Sequence, residues 1–122
     1  MAAITDLTWQ QLEDASGITG AIAVTGVGDA AKVLIDVSLI TGVHTGALSA
    51  GGVVDFLIKL REFASTAQTT ANVGQSAGEK LAAFPALVYG TLGSDGKVQV
   101  QGNVVAKLGV SPQTLHAVGT NS

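Results

Sequence analysis

His44 and His116 are the only imidazoles in the chain, and each stands among small hydroxyl residues. A histidine beside a serine or threonine is the pairing from which a base-activated nucleophile is built. His44 with Thr45 and Ser49 forms one such group, and His116 with Ser111 forms another. Neither has the rest of the machinery at a recognisable spacing: a nucleophile elbow, a glycine motif for an oxyanion, or a third orienting acid. Both read as polar loop residues. Asp55 and Glu62 lie seven apart, with Lys59 and Arg61 between them. General acid–base work needs two carboxyls on one cleft, whereas this spacing gives a charged, solvated stripe on a helix. Glu13-Asp14 is the only adjacent pair of acids. With no calcium loop and no His–x₃–His pair in the chain, it reads as a solvated helix face.

Gly26-Val27-Gly28-Asp29-Ala30-Ala31 matches a G-x-G-x-x-A pattern after an apolar run. In a dinucleotide fold such glycines bring the backbone against a pyrophosphate at a helix N-terminus, and an acid follows about 20 residues on. Here strand-like residues resume at Lys32 or Val33, which leaves no room for that helix, and Asp36 comes too early. The segment reads instead as a hairpin turn.

The elements around these residues have clearer signals. Thr8 with Gln11 three residues later makes a capping box, and Leu7 with Leu12 makes the hydrophobic staple. Gly17 is the stop, so a helix is expected over 8–15. Trp9, in its first turn, either packs this helix or anchors an interface. A first hairpin is expected, 20–25 with 32–39, with Val33, Ile35, Val37 and Leu39 on one face. Ser49 is placed to cap the next helix. There Val53, Leu57, Leu60, Ala64, Ala67 and Ala71 recur at spacings of four and three, with Asp55, Lys59 and Glu62 on the opposite face. That is an amphipathic helix over 53–72. A break near Gly74 and a second short helix near 76–83 are expected beyond it.

A second hairpin is expected from 86–92 and 97–108 around Gly93-Ser94-Asp95-Gly96. Val98 and Val100 alternate with Gln99 and Gln101, which predicts the valines against a core and the glutamines toward solvent or a neighbour. Gly102-Asn103 interrupts the run, and Ser111-Pro112 is placed to start one helical turn. The order is helix, hairpin, long helix, hairpin and tail. That predicts an α+β fold: two β-hairpins forming an antiparallel sheet packed on one long amphipathic helix, plus a short N-terminal helix. One domain is expected over 1–118, with 119–122 a flexible C-terminal tail.

Composition narrows the function classes. The chain has 122 residues, a net charge of −3, no cysteine and only 12% charged residues. No basic surplus points to nucleic acid. The lack of cysteine removes disulfides, zinc–thiolate sites and thiol nucleophiles. The opening residues have neither a positive n-region nor an apolar h-region, and no apolar run approaches the ~20 residues of a membrane span. Neither a signal peptide nor a membrane partner is expected. A surface this poor in charge is suited to being covered by copies or a partner.

The chain is short, free of cysteine and rich in Ala, Gly, Thr and Val. In this it resembles small structural proteins of tailed bacteriophages. Ile4-Thr5-Asp6-Leu7-Thr8-Trp9 and Gly78-Glu79-Lys80-Leu81-Ala82-Ala83-Phe84-Pro85 are similar to segments of uncharacterised small proteins of cyanobacteria and cyanophages. The resemblance implies a head-decoration (cement) or tail-associated role in many symmetric copies. It transfers no functional residue.

The expectation is a non-catalytic structural protein acting by self-association or by binding a larger assembly, most plausibly a phage virion. The alternative is a small soluble protein-binding module or adaptor. Neither a cofactor, a metal nor a small-molecule substrate is expected. The expected partners are further copies or phage structural proteins. The expected location is the virion if the gene is viral, and the cytoplasm otherwise. The candidate interface residues are Trp9, Tyr89, Gln99 and Gln101.

Overall fold

The computed structural model describes residues 2–43, 47–107 and 117–122. His44, Thr45, Ser111 and His116 therefore lie outside the described residues, as does the turn expected at Ser111-Pro112. The chain is α+β. Its strands form three separate two-stranded antiparallel ladders rather than one sheet. Two compact units are present, Thr8–Ala67 and Met1–Leu7 with Gln68–Ser122.

The first unit opens with α1 (Trp9–Ser16), and both halves of the capping box form. Gln11 N–H donates to Thr8 Oγ1 at 3.1 Å, and Thr8 N–H donates to Gln11 Oε1 at 2.8 Å. Gly17 closes the helix in the left-handed region at φ 70°. Strands β1 (Ile22–Thr25) and β2 (Lys32–Ile35) then pair, with Ile22 opposite Ile35 and Val24 opposite Val33. A single 3-10 turn, Gly28–Ala30, sits in the connection. Gly26 has φ 76°, and a Cβ there would run into the Ala30 carbonyl. These glycines therefore serve a tight reversal.

The first hairpin is shorter than its apolar run suggests. Beyond Ile35 the chain turns into α2 (Val37–Thr41), so Val37 and Leu39 are helical and do not extend the strand face. Asp36 explains the change. Its carboxylate accepts from Leu39 N–H at 3.1 Å and from the Ser38 hydroxyl at 2.8 Å, which caps a new helix.

Helix α3 (Val53–Ala71) follows the predicted periodicity almost to its ends. Its first helical bond runs from Phe56 N–H to Gly52 O at 3.0 Å, so Gly52 occupies the cap position expected of Ser49. Burial lies along Arg61, Ala64 and Ala67, while Val53 and Leu57 stay exposed. The small residues of the stripe are covered, and its large ones at the N-terminal end are not. Lys59 Nζ reaches the Thr41 carbonyl at 3.4 Å, which ties α3 to the last residue of α2.

The second unit is knitted by main-chain bonds. Residues 76–83 form no helix, contrary to expectation, and run extended from Leu81. The end of α3 and the residue just beyond it account for this. Asn72 holds the Leu81 peptide at both sides, with Leu81 N–H to Oδ1 at 2.8 Å and Nδ2 to Leu81 O at 2.9 Å. Gln68, one turn earlier, holds Phe84 in the same way at 2.9 and 3.0 Å. Each amide satisfies a main-chain N–H and C=O outside any helix, so Leu81 and Phe84 have no need of helical partners.

Strand β5 (Ala106–Lys107) pairs with β6 (Val118–Gly119). The second hairpin thus ends well before the expected residue 108. Residues 119–122, expected as a loose tail, are bonded along their length. Gly119 N–H donates to Thr5 O at 2.7 Å, Ala82 N–H to Thr120 O at 2.7 Å, and Ser122 N–H to Lys80 O at 3.2 Å. Asn121 Nδ2 donates to both Ile4 O (2.7 Å) and Lys80 O (3.0 Å). Leu81 is only 2% exposed at the centre of this braid. A Cβ at Gly119 would run into the end of the Leu81 side chain and crowd Ala83 and the Thr5 carbonyl, so a larger residue requires that packed leucine to move.

Candidate interaction surface

The second unit also contains the hairpin of β3 (Val88–Leu92) and β4 (Val98–Gln101). Its turn is local chemistry. Gly96 takes φ 78°, Gly93 N–H donates to Lys97 O at 2.7 Å, and Asp95 Oδ1 accepts from Lys97 N–H at 3.0 Å. Val88 lies opposite Gln101, Tyr89 opposite Val100 and Leu92 opposite Val98. The register shifts between Tyr89 and Leu92. At this bulge Gly90 comes close to the partner strand: a Cβ there would sit 3.3 Å from Gln99 O.

The bulge decides which residues share a face. Directly opposed residues point the same way, as do residues two apart on one strand. Val98 and Val100 are two apart, Tyr89 opposes the second and Leu92 opposes the first. The extra residue therefore puts Tyr89 and Leu92, three apart in sequence, on one face with both valines. Val88, Gln99 and Gln101 fall on the other face. Tyr89 is 68% exposed, Leu92 66% and Val98 42%. No residue of β3 is buried. The valines predicted to face a core are on a face that the chain leaves largely open.

The four candidate interface residues are thus partly assembled. Tyr89, Gln99 and Gln101 share one hairpin, with the tyrosine on one face and the glutamines on the other. Gln101 Nε2 donates to Asn103 Oδ1 at 3.0 Å. Trp9 belongs to the other compact unit and is 53% exposed, so it does not serve mainly as core. Leu92 and the bulge were not evident from the sequence. Gly90-Thr91 between two apolar residues was the available signal, since a glycine inside a strand marks a bulge.

The charged residues considered for chemistry are engaged in other ways. Asp55 pairs with Lys59 at 3.0 Å and Glu62 with Arg61 at 2.6 Å, so neither carboxylate stands beside another acid as its partner. Glu13 and Asp14 both accept from Gln10 Nε2, at 3.3 and 2.9 Å. Among the described residues no three metal-ligating side chains converge. No helix among them is long and apolar enough to cross a membrane. An apolar hollow of about 130 Å³ lies over Leu81, between Phe84, Val104 and Val118. It is smaller than the roughly 300–1,000 Å³ of ordinary ligand pockets. No family model matches the chain, and no similar curated protein or solved structure was found.

Proposed function

We propose that this chain is a non-catalytic structural protein that works by self-association or by joining a larger assembly. The setting implied by the sequence resemblance is a tailed-phage virion, as head decoration or tail component. The observation that carries the reading is the uncovered apolar face of the β3–β4 hairpin. Tyr89, Leu92, Val98 and Val100 share it, and no charge interrupts it. Two-stranded hairpins are marginal alone in water. Apolar side chains gathered on one open face of such a hairpin gain most from being covered. Large apolar residues exposed elsewhere, such as Val24, Val27 and Leu57, add to the demand.

The test is mass in solution, by light scattering on a sizing column over a wide concentration range. A dimer, trimer or larger closed ring, growing with concentration, is the expected result. A single 12.1 kDa species at every concentration overturns self-association and leaves a partner-dependent cement protein or a small binding module as the readings.

A further inference from the structure

We propose that Asp95 is a site of spontaneous main-chain modification, where the Asp95-Gly96 link closes to a succinimide and reopens as isoaspartate. This goes beyond the reading above and does not depend on association. Three observations meet at the site.

The first is sequence. Ring closure brings the main-chain nitrogen of the next residue onto the aspartate Cγ, and a side chain on that next residue stands in the way. Asp95 alone among the six aspartates precedes a glycine; the other five precede leucine, alanine, valine or phenylalanine. None of the three asparagines, which could close the same ring, precedes a glycine.

The second is position. Asp95 and Gly96 are both exposed at the tip of the β3–β4 hairpin. A Cβ placed on Gly96 would meet nothing, so this peptide is open to water. Asp95 Oδ1 accepts from Lys97 N–H at 3.0 Å, two residues ahead. The carboxyl is therefore already turned forward along the Gly96 peptide that attacks it.

The third is how little holds the nucleophile. Gly96 N–H donates to Gly93 O at 3.1 Å, and that bond must open first. It is longer than the other two bonds of the turn, Gly93 N–H to Lys97 O at 2.7 Å and Lys97 N–H to Asp95 Oδ1 at 3.0 Å. Solvent-exposed main-chain bonds open at the low end of a protein's stability range.

The step needs no reactant but water. Gly96 N bonds to Cγ of the protonated Asp95 carboxyl. The carboxyl hydroxyl takes the Gly96 amide proton and leaves as water. A second water then opens the ring. Attack at Cγ restores aspartate, whereas attack at the Asp95 main-chain carbonyl leaves the chain running through Cβ and Cγ. That product has one more carbon in the main chain, inside the turn that the Gly93–Lys97 bond closes.

The test ages the whole chain in neutral buffer at physiological temperature, with circular dichroism to verify that it stays folded. Proteolytic peptides are separated by liquid chromatography and mass, and isoaspartate is read independently by enzymatic methylation with isoaspartyl methyltransferase. A peptide lighter by one water is expected first, then one of unchanged mass and altered retention, both placed at Asp95. Asp95→Glu, which would need a six-membered ring, is expected to lose both signals while keeping the charge. A chain unfolded in urea is aged alongside. Isoaspartate at Asp95 in the unfolded chain but not in the folded one overturns the proposal, because the turn then protects the site. Its absence from both overturns it as well. Equal accumulation at the other aspartates, or a signal that survives Asp95→Glu, overturns the role given to this link.

Discussion

The hairpins β1–β2 and β3–β4 are built alike and end differently. Each is a short antiparallel pair closed by a glycine-containing turn, and each sorts apolar side chains to one face. In β1–β2 that face is rooted in the chain's own interior. Ala21 is fully buried just before the strand, Ile22 is 8% exposed, and α1 packs on β1. Beyond the Ile22–Ile35 pair the ladder is exposed, with Val24, Val33 and Leu34 all open. In β3–β4 none of the four residues on the apolar face is buried. Alternation in a sequence says that a face exists. Whether the same chain covers it depends on the neighbours of the strand, and those are not local.

Three experiments bear on this contrast. The largest effect is expected from Ile22→Ala. Removing a covered aliphatic side chain costs about 2–4 kcal/mol, read as a lower urea midpoint. Leu92→Ala costing as much at low protein concentration would erase the distinction between the hairpins.

The turns come next. Gly26→Ala imposes a left-handed alanine and drives its Cβ into the Ala30 carbonyl. Gly96→Ala imposes the same backbone strain, but with open space around the new methyl. Expected losses are about 2–3 kcal/mol for the first, where clash adds to strain, and about 1 kcal/mol for the second. Thermal unfolding of the pair separates them, and equal losses would show that the tight reversal is not what Gly26 provides.

The smallest effect is expected from Leu92→Ser. At a concentration where wild type is unassociated, its stability should change by less than about 0.5 kcal/mol, as exposed substitutions usually do. A larger change would mean that the β3–β4 face is covered by its own chain.

Elements defined by their own residues were legible in the sequence. Thr8, Gln11 and Gly17 placed α1, the four-and-three spacing placed α3, and Gly93 to Gly96 placed the second turn. Asp36 was misread because its neighbours, Val33 to Ile40, are good strand formers. Its side chain could cap a helix, and the cap prevailed over propensity. The 76–83 segment was misread for the opposite reason. Its local pattern allows a helix, but Asn72 holds the Leu81 peptide from nine residues away and Gln68 holds Phe84, just beyond the segment, from 16. Of the interaction surface, Tyr89 and the Val/Gln alternation were visible. The inclusion of Leu92 was not, because it depends on a one-residue register shift. Trp9 was open to two readings, and its 53% exposure favours the one in which it is available to a neighbour.

The bonds that join Asn121 to Ile4 and Lys80, and Gly119 to Thr5, also tie together distant parts of the chain. Thr8–Ala67 is one continuous stretch of chain, so its contacts close without the two ends of the sequence having to meet. The other unit needs residues 4 and 5 together with residues 118–122, a separation that makes ring closure slow. Residues 4 and 5 are made well before the residues 118–122 that they bond. Until the two meet, Thr5, Lys80 and Ala82 lack the main-chain partners that residues 119–122 supply. Residues 4–5 and 119–122 thus act as a clasp, each side held by the other.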